Sequence, residues 1–314
     1  MLLPVILTII IPASYIVEGE IPKNNMEEKH MAEFTNQASL IYNDTITNSN
    51  IVVGNLVQAL SVSKKAVLPT YSTDDDLTYV VSITNSSGTA YTDLTVTDDL
   101  GAYTEGGNNL VPLTYKAGSL KYYINGVLQP DLAPTAGNAL TVTGVSIPAN
   151  GSTILIYEAE PNGFAPLEAE SEILNTVRVT GAGIAEDLTA QERVFPVVGV
   201  QLSISKAISP STVSANGQVT YTFVIQNTGN TPADAALGAI VTDTFDPVLK
   251  GLTAAYNGEA LTLNTDYTYD QTTGLFSTAP GMITVDAATF TRDENTGAVQ
   301  VTPAVGILTV TGTI

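Results

Sequence analysis

The chain has 314 residues, of which 44% are hydrophobic and 13% charged, enough for two ordinary hydrophobic cores. Its net charge of −20 disfavours nucleic acid and anionic membranes as partners, because both attract clustered Lys and Arg. The absence of cysteine excludes disulfides and thiolate sites, and one histidine, His30, gives no basis for a catalytic triad, a metal site or a cofactor. We therefore expect a protein that is not an enzyme.

Residues 1–31 allow two interpretations. Met1–Val17 is an apolar run that fits a signal-peptide core, but it lacks preceding basic residues and is short for a membrane span. Alternatively, translation begins at Met26 or Met31, and there is no classical export signal. We assign residues 1–31 to a leader or a mis-assigned start, disordered or helical, and expect no membrane insertion of the mature chain. The sequence leaves the export route open.

One sequence unit occurs twice. Three motifs recur downstream: Leu60–Lys64 as Leu202–Lys206, Leu77–Asn85 as Val219–Asn227, and Leu94–Asp98 as Ala239–Asp243. An upstream segment, Phe34–Leu40, matches Ile173–Val179, which closes the first copy. The second copy reaches Ile314 without such a segment. We therefore expect a spare closing hairpin at the N-terminus and a place for one in the second copy.

Alternation of apolar and polar residues is the main structural signal. It runs through Leu77–Asn85 and Val219–Asn227, as expected for strands with one buried face. Asn125–Gly126 and Asn257–Gly258 lie between strand-like flanks, which is typical of two-residue hairpin turns. Many short strands separated by turn residues predict immunoglobulin-like antiparallel β-sandwiches.

The predicted fold is therefore all-β, with two tandem immunoglobulin-like antiparallel β-sandwiches and an N-terminal β-hairpin extension. We place the hairpin at residues 32–57, the first sandwich at 58–198, and the second sandwich, lacking its closing strands, at 199–314. The link around Pro196–Val200 is short and apolar, which favours limited bending between the sandwiches.

The order of these motifs resembles a known family. The chain resembles the conserved-repeat domain of bacterial surface proteins, which is domain of unknown function number eleven. The resemblance rests on four motifs in order: Leu-Ser-x-Ser-Lys, a Thr-Tyr strand ending in Asn, Val-Thr-Asp and a closing Asn-Thr-Val. The resemblance covers Phe34–Ile314, although the second copy lacks the Asn-Thr-Val close. It implies an immunoglobulin-like module of the bacterial surface that is structural or adhesive and has no catalytic activity.

A sandwich without its last strands exposes backbone groups and an apolar groove that another strand must cover. We expect the hairpin of one chain to insert into the second sandwich of a neighbour, a head-to-tail contact that builds filaments. Alternatively, the hairpin folds back within its own chain, or the second sandwich closes with strands of its own. The residues expected to carry the insertion are Phe34, Ala38, Leu40, Tyr42, Ile46 and Ile51.

The resemblance also suggests covalent chemistry. In related Gram-positive surface sandwiches, a buried Lys on the first strand joins an Asn on the last strand in an isopeptide bond, helped by a buried carboxylic acid. The reaction needs an uncharged amine and a protonated acid. The candidates are Lys64, Asn175 and Asp98, with Glu158 as a competing acid, and a repeat-related set of Lys206, Asp243 and a neighbour's Asn36. Solvated lysines at strand edges are the simpler interpretation, and Lys65 should point away from Lys64.

Two functional classes follow. The first is a structural subunit of a fibre or appendage on an extracellular, cell or spore surface, whose partner is a second copy of the chain. The second is a monomeric surface-displayed adhesin or ligand-binding module that contacts a host or envelope ligand. Most tyrosines lie in strand-like runs, which favours the fibre, because binding hot spots prefer exposed aromatics. The acidic turn Asp74–Asp76 is interpreted as solvated rather than as a calcium site.

Overall fold

The structure is a computed structural model that describes residues 32–42, 45–56, 59–184 and 186–314. These residues form 28 β-strands and one short 3₁₀ helix, which confirms the predicted all-β fold. The chain divides into two compact units, residues 1–58 and 59–314. The predicted leader, residues 1–31, lies outside the described residues. Within the described ranges, no helix is long and apolar enough to cross a membrane.

The described residues of the first unit form a long β-hairpin. Its strands are β1 (Ala32–Asn36), β2 (Ser39–Tyr42), β3 (Thr45–Asn48) and β4 (Val52–Leu56). β2 pairs with β3 near the tip, and β1 pairs with β4 at the base. Between the two ladders the Ser49 N–H donates to the Ala38 carbonyl at 2.8 Å, so the two strands stay paired through a bulge. A hairpin therefore occupies the segment that was predicted to contain one.

The first sandwich is built from β5 to β18. Their bounds are β5 (Leu60–Ala66), β6 (Thr70–Tyr71), β7 (Leu77–Asn85), β8 (Tyr91–Asp98), β9 (Tyr103–Glu105), β10 (Asn108–Leu110), β11 (Leu113–Tyr115), β12 (Lys121–Ile124), β13 (Val127–Leu128), β14 (Thr135–Ala136), β15 (Leu140–Ile147), β16 (Gly151–Pro161), β17 (Ile173–Thr180) and β18 (Leu188–Pro196). One sheet has the order β13-β12-β16-β7-β5, with β11 also on β16, and the facing sheet has the order β14-β15-β8-β17-β18-β6. β9 and β10 form a separate hairpin.

The two facing sheets enclose the first hydrophobic core. In β7 every second residue from Leu77 to Asn85 is buried, as the alternation predicted. The same alternation in β16 and β17 directs Leu155 and Val177 into the core. The Asn125–Gly126 turn between β12 and β13 has φ angles of 48° and 77°, the left-handed conformation that this dipeptide favours.

The second sandwich is built from the remaining strands and has a core of its own. Their bounds are β19 (Leu202–Ser209), β20 (Gln218–Asn227), β21 (Thr242–Thr244), β22 (Lys250–Tyr256), β23 (Glu259–Ala260), β24 (Tyr267–Tyr269), β25 (Leu275–Thr278), β26 (Thr289–Arg292), β27 (Val299–Thr302) and β28 (Ala304–Thr313). The 3₁₀ helix Ala235–Leu237 precedes β21, which is shorter than the predicted strand Ala239–Asp243.

The second sandwich repeats the strand order of one sheet of the first sandwich and of part of the other sheet. The sheet β19-β20-β28-β22-β23 repeats β5-β7-β16-β12-β13, and β21-β25-β24 repeats β8-β15-β14. β8 pairs with both β15 and β17, whereas β21 pairs only with β25 in the part of the chain that the structure describes. Within that part, the β17–β18 hairpin of the first sandwich has no counterpart in the second.

The β26–β27 hairpin ties the second sandwich to the first. The Val299 N–H donates to the Gly163 carbonyl at 2.7 Å. The Arg292 guanidinium lies 2.8 Å from the Glu105 carboxylate and stacks over the Tyr103 ring. This guanidinium is largely buried, so its ion pair is less screened than a surface pair.

Hydrogen bonding and close packing also restrict the link between the two sandwiches. The Asn230 side-chain amide donates to the Val197 carbonyl at 3.0 Å. Beside it, Gly229 is packed so closely that a Cβ atom would stand 2.3 Å from the Gly199 carbonyl oxygen. These contacts give a physical reason for the limited bending expected from the short apolar link.

Candidate functional site

The Lys64 side chain is fully buried in the first sandwich, which is rare for lysine. Lys64 lies on the inward face of β5, and Asp98 ends β8 on the facing sheet. Lys64 Nζ and Asp98 Oδ2 form an ion pair, with 0% and 3% of the two side chains exposed. A pair at this depth persists only when hydrogen bonds satisfy its other polar atoms.

Two further side chains complete this arrangement. The Tyr157 hydroxyl, from β16, donates to Asp98 Oδ2 at 2.6 Å. The Asn175 Nδ2 atom, from β17, lies 3.5 Å from that hydroxyl oxygen. Asn175 is fully buried, and its Oδ1 atom has no hydrogen-bond partner among the described residues. We call Lys64, Asp98, Tyr157 and Asn175 the first-sandwich cluster; it brings together three residues that the sequence proposed as a reactive set.

Burial dominates the electrostatics of this cluster. Desolvation lowers the pKa of Lys64 from its ordinary value, although the Asp98 carboxylate opposes the shift. Desolvation also raises the pKa of Tyr157 well above its ordinary value, and the negative charge of Asp98 adds to that effect. The Lys64 amine is therefore easier to deprotonate than a surface lysine, and the Tyr157 hydroxyl keeps its proton.

The cluster holds the groups that amide-bond formation needs. Proton transfer from Lys64 to Asp98 would leave an uncharged amine beside a protonated acid, without changing the net charge of the pair. The unpaired Asn175 Oδ1 atom is the carbonyl oxygen that such an acid would polarise. The amine could then attack the Asn175 amide carbon, with ammonia as the leaving group.

Glu158, the competing acid, does not join the cluster. It follows Tyr157 on β16, and consecutive side chains of a strand point to opposite faces. Glu158 is half-buried on the outer face, 3.5 Å from Lys116 Nζ. Lys65 also points outward, as expected, and lies 2.9 Å from the Glu192 carboxylate. Sequence reasoning missed Tyr157, although its spacing from buried Leu155 was a usable signal.

The second sandwich contains the equivalent ion pair in a different environment. Lys206 Nζ and Asp243 Oδ2 are paired, but 40% of the lysine side chain and 19% of the aspartate side chain are exposed. The rings of Tyr221, Phe223 and Phe245 surround the ammonium, with their centroids 4.6, 5.5 and 5.2 Å from Nζ. This pair is open to solvent on one side.

The apolar surface beside this pair is exposed too. Leu202 is 39% exposed, whereas its counterpart Leu60 is 4% exposed. Ile204 and Ile240 are 56% and 48% exposed. They flank a groove of about 160 Å³ between β19 and the segment that leads into β21. We call this surface the acceptor groove; its lining residues are Leu202, Ser203, Ile204, Ile225, Ala239, Ile240, Val241 and Ile283.

The hairpin of the first unit also exposes apolar side chains. Leu40, Ile46 and Ile51 are 63%, 65% and 59% exposed, and Ala38 is exposed as well. The backbone register places Phe34 opposite Gly54 and Tyr42 opposite Thr45. Asn36 ends β1, opposite Val52. An isolated two-stranded hairpin with so much exposed apolar surface is at best marginally stable in water.

Comparisons with known proteins leave the family undetermined. No family model and no curated protein matches the chain. Among solved structures, the chain is similar to the major pilin subunit of Bacillus cereus, BcpA, at 14% identity over 87% of this chain and 73% of that chain, with a TM-score of 0.35.

Two other solved structures are similar to the chain at the same level. A 35 kDa C-terminal fragment of a major pilin of Streptococcus agalactiae gives 14% identity over 79% of this chain and 91% of that chain, with a TM-score of 0.33. The pilus backbone protein RrgB of Streptococcus pneumoniae gives 12% over 78% and 54%, with a TM-score of 0.28. These scores are too low to support an argument about function, which must come from the residues themselves.

Proposed function

We propose that this protein is a structural subunit of an extracellular fibre on a bacterial surface, polymerising head to tail with copies of itself. The hairpin at residues 32–56 of one chain inserts into the acceptor groove of the next. The observation that supports this proposal is the way in which the first sandwich is completed by a hairpin. There the β17–β18 hairpin pairs with β8 and covers β5, so Lys64 and its surroundings are buried.

The hairpin of the first unit matches β17–β18 in sequence order. When Asn36 is aligned with Asn175, Leu40 takes the place of Val179, which is fully buried. Ser39 takes the place of Arg178, which is exposed on the outer face. The apolar residues of the hairpin therefore alternate in the same register as those of β17, so an inserted hairpin would turn its apolar face toward the groove. Adding a hairpin beside β21 would satisfy that strand's unpaired edge by β-augmentation.

The connection at Leu60 favours a neighbouring chain as the acceptor. Residues 57–59 join the hairpin to Leu60 and can span at most about 14 Å. β5 then runs for 7 residues, or roughly 20 Å, before the chain reaches Tyr71. The second sandwich follows beyond that point, because the Val197 N–H donates to the Tyr71 carbonyl. A hairpin that inserts into another molecule is not limited by this distance, so we propose a neighbouring chain as the acceptor.

The proposal includes a covalent bond within each subunit. Lys64 Nζ attacks the Asn175 side-chain carbon, Asp98 holds the transferred proton, and ammonia leaves. Such a bond would join β5 to β17 across the core. It would give each subunit of a cysteine-free fibre a covalent cross-link. Intact mass spectrometry of the purified chain tests it directly, because the bond lowers the mass by one ammonia.

A charged substitution on the apolar face of the hairpin tests the polymer. Leu40→Glu should abolish assembly, because insertion would bury the new carboxylate without a partner. Light scattering and electron microscopy of the full chain would show filaments for the wild type and monomers for the variant. We expect the apparent subunit affinity to fall by at least about 100-fold, the effect of roughly 3 kcal/mol.

Ser39→Glu is the matched control, since it adds the same charge one residue away on the outer face. It should assemble like the wild type. A wild-type chain that stays monomeric at high concentration would contradict the fibre and would favour a monomeric surface-displayed binding module. Equal loss of assembly in both variants would show that the face of the hairpin is irrelevant.

A further inference from the structure

We propose that insertion of the hairpin activates Lys206 and Asp243 to form a covalent bond with Asn36 of the inserting chain. The Lys206–Asp243 pair is then a latent site, unreactive in the free subunit and completed only by assembly. This inference rests on the proposed strand insertion and adds its chemistry and its control.

The two lysine–aspartate pairs differ in burial rather than in composition. Both lysines lie on the first strand of their sandwich, and both aspartates lie on the facing strand that follows. The Lys64 side chain is 0% exposed, while that of Lys206 is 40% exposed. The β17–β18 hairpin lies against this part of the first sandwich: Asn175 of β17 belongs to the first-sandwich cluster, and Glu192 of β18 accepts from the Ala66 N–H at 3.3 Å. An equivalent hairpin on β19 would bury Lys206 in the same way.

Lys206 is already surrounded by apolar groups on one side. Three aromatic rings lie within 5.5 Å of its Nζ atom, on the side of the β20–β28 sheet and of β21. Ile204, two residues before Lys206 on the same face of β19, and Ile240 both line the acceptor groove and are 56% and 48% exposed. An inserted apolar strand would close this groove and exclude water, which disfavours the charged forms of both groups.

The register of the hairpin places an amide at the required point. In the first sandwich Val177 lies opposite Asp98, so Asn175 lies two residues along the same face of β17. The aligned residues of the hairpin are Ala38 and Asn36. Insertion in the same register would set Ala38 opposite Asp243 and turn Asn36 toward Lys206.

The reaction is balanced without an external reagent. Lys206 transfers one proton to Asp243, and its neutral amine forms a bond to the side-chain carbon of the neighbouring chain's Asn36. The bond from that carbon to Nδ2 breaks, and the nitrogen leaves with the proton held by Asp243 and one from the amine. The products are a secondary amide and an ammonium ion in place of a primary amide and a lysine ammonium.

One difference predicts that this bond forms more slowly than the one at Lys64. Tyr79 stands opposite Tyr157 in the β7–β16 ladder, whereas its counterpart Tyr221 stands opposite Val310 in the β20–β28 ladder. Val310 therefore takes the place of Tyr157, whose hydroxyl donates to Asp98 at 2.6 Å in the first-sandwich cluster. Without that hydroxyl to orient the acid, the second site should react at a lower rate.

The test uses the full chain and separates assembly from bond formation. Filaments are followed by light scattering and electron microscopy, and covalent bonds by a boiled denaturing gel with peptide mapping by mass spectrometry. The wild type should give a ladder of multimers containing a Lys206–Asn36 peptide. Asn36→Ala and Asp243→Ala should still form filaments but give no ladder, and Asn50→Ala, in the same hairpin, should behave like the wild type.

The ladder should also appear faster at higher protein concentration, whereas the Lys64–Asn175 bond in the same molecule should form at a concentration-independent rate. Wild-type filaments that dissolve completely to monomers on boiling would overturn the covalent step and leave the fibre intact. A ladder that persists in Asn36→Ala would overturn the residue assignment. A Lys206–Asn36 bond found within single chains would overturn its dependence on assembly, and the absence of filaments would contradict the fibre itself.

Discussion

The first and second sandwiches contain the same lysine–aspartate pair in opposite environments. The side chains of Lys64 and Asp98 are 0% and 3% exposed, whereas those of Lys206 and Asp243 are 40% and 19% exposed. The pair alone therefore does not determine its chemistry. In our proposal, the strand that covers the pair sets its dielectric environment and supplies the amide, which would make one motif an internal cross-link in one sandwich and an assembly site in the other.

Removal of the carboxylate should separate the two environments most clearly. Asp98→Ala leaves the Lys64 ammonium buried without a partner and prevents the internal bond, so we expect a loss of about 3–5 kcal/mol in the free energy of unfolding. Asp243→Ala acts on a pair with a 40% exposed lysine side chain, and its cost should stay below about 1 kcal/mol. Urea unfolding followed by hydrogen exchange of each sandwich measures both values.

The measurement should be made with Leu40→Glu present, so that inserted hairpins do not bury Asp243. Asp98→Asn keeps the shape of the side chain and serves as a milder control. Equal costs for the two alanine variants would show that the β17–β18 hairpin does not create the difference.

The Tyr157 hydroxyl should change the rate of bond formation more than the stability. Tyr157→Phe keeps the ring, which stacks on Tyr79 at a centroid distance of 5.6 Å, but removes the hydrogen bond to Asp98. We expect the Lys64–Asn175 bond to form up to about 100-fold more slowly, within the range for a positioned proton donor. Loss of ammonia with time, followed by intact mass in freshly produced chain, measures this rate.

A purely structural tyrosine would give another result. The variant would then lose stability while its bond formed at the wild-type rate. Tyr122→Phe is the comparison variant, because the Tyr122 hydroxyl bonds the Ser146 backbone outside the first-sandwich cluster, so its loss should lower stability and leave the rate unchanged.

Much of this arrangement could be predicted from the sequence, because short-range periodicity sets it. Alternation predicted the strands that carry Lys64 and Asp98, whereas the grouping of these two residues with Asn175 was implied by the resemblance to the conserved-repeat domain. Asn125–Gly126 marked a hairpin turn correctly, since that turn requires positive φ angles.

Long-range packing was harder to predict. Glu158 was considered as an acid although it shares its face with half-buried Ile154 and Ile156, while neighbouring Tyr157 points into the core. Arg292, which joins the two sandwiches through Glu105, lies in a hairpin that the repeat does not contain, so no internal comparison could reveal it.

Lys65 gives the smallest expected effect and tests how closely the chemistry depends on strand geometry. It is adjacent to Lys64 and carries the same ammonium, but its side chain is 73% exposed and lies 2.9 Å from Glu192. Lys65→Ala should therefore cost less than about 1 kcal/mol in thermal unfolding, and the mass loss of one ammonia should persist. Lys64→Ala should abolish that mass loss. If the bond instead vanished only in Lys65→Ala, the nucleophile would lie on the outer face, and burial could not explain its reactivity.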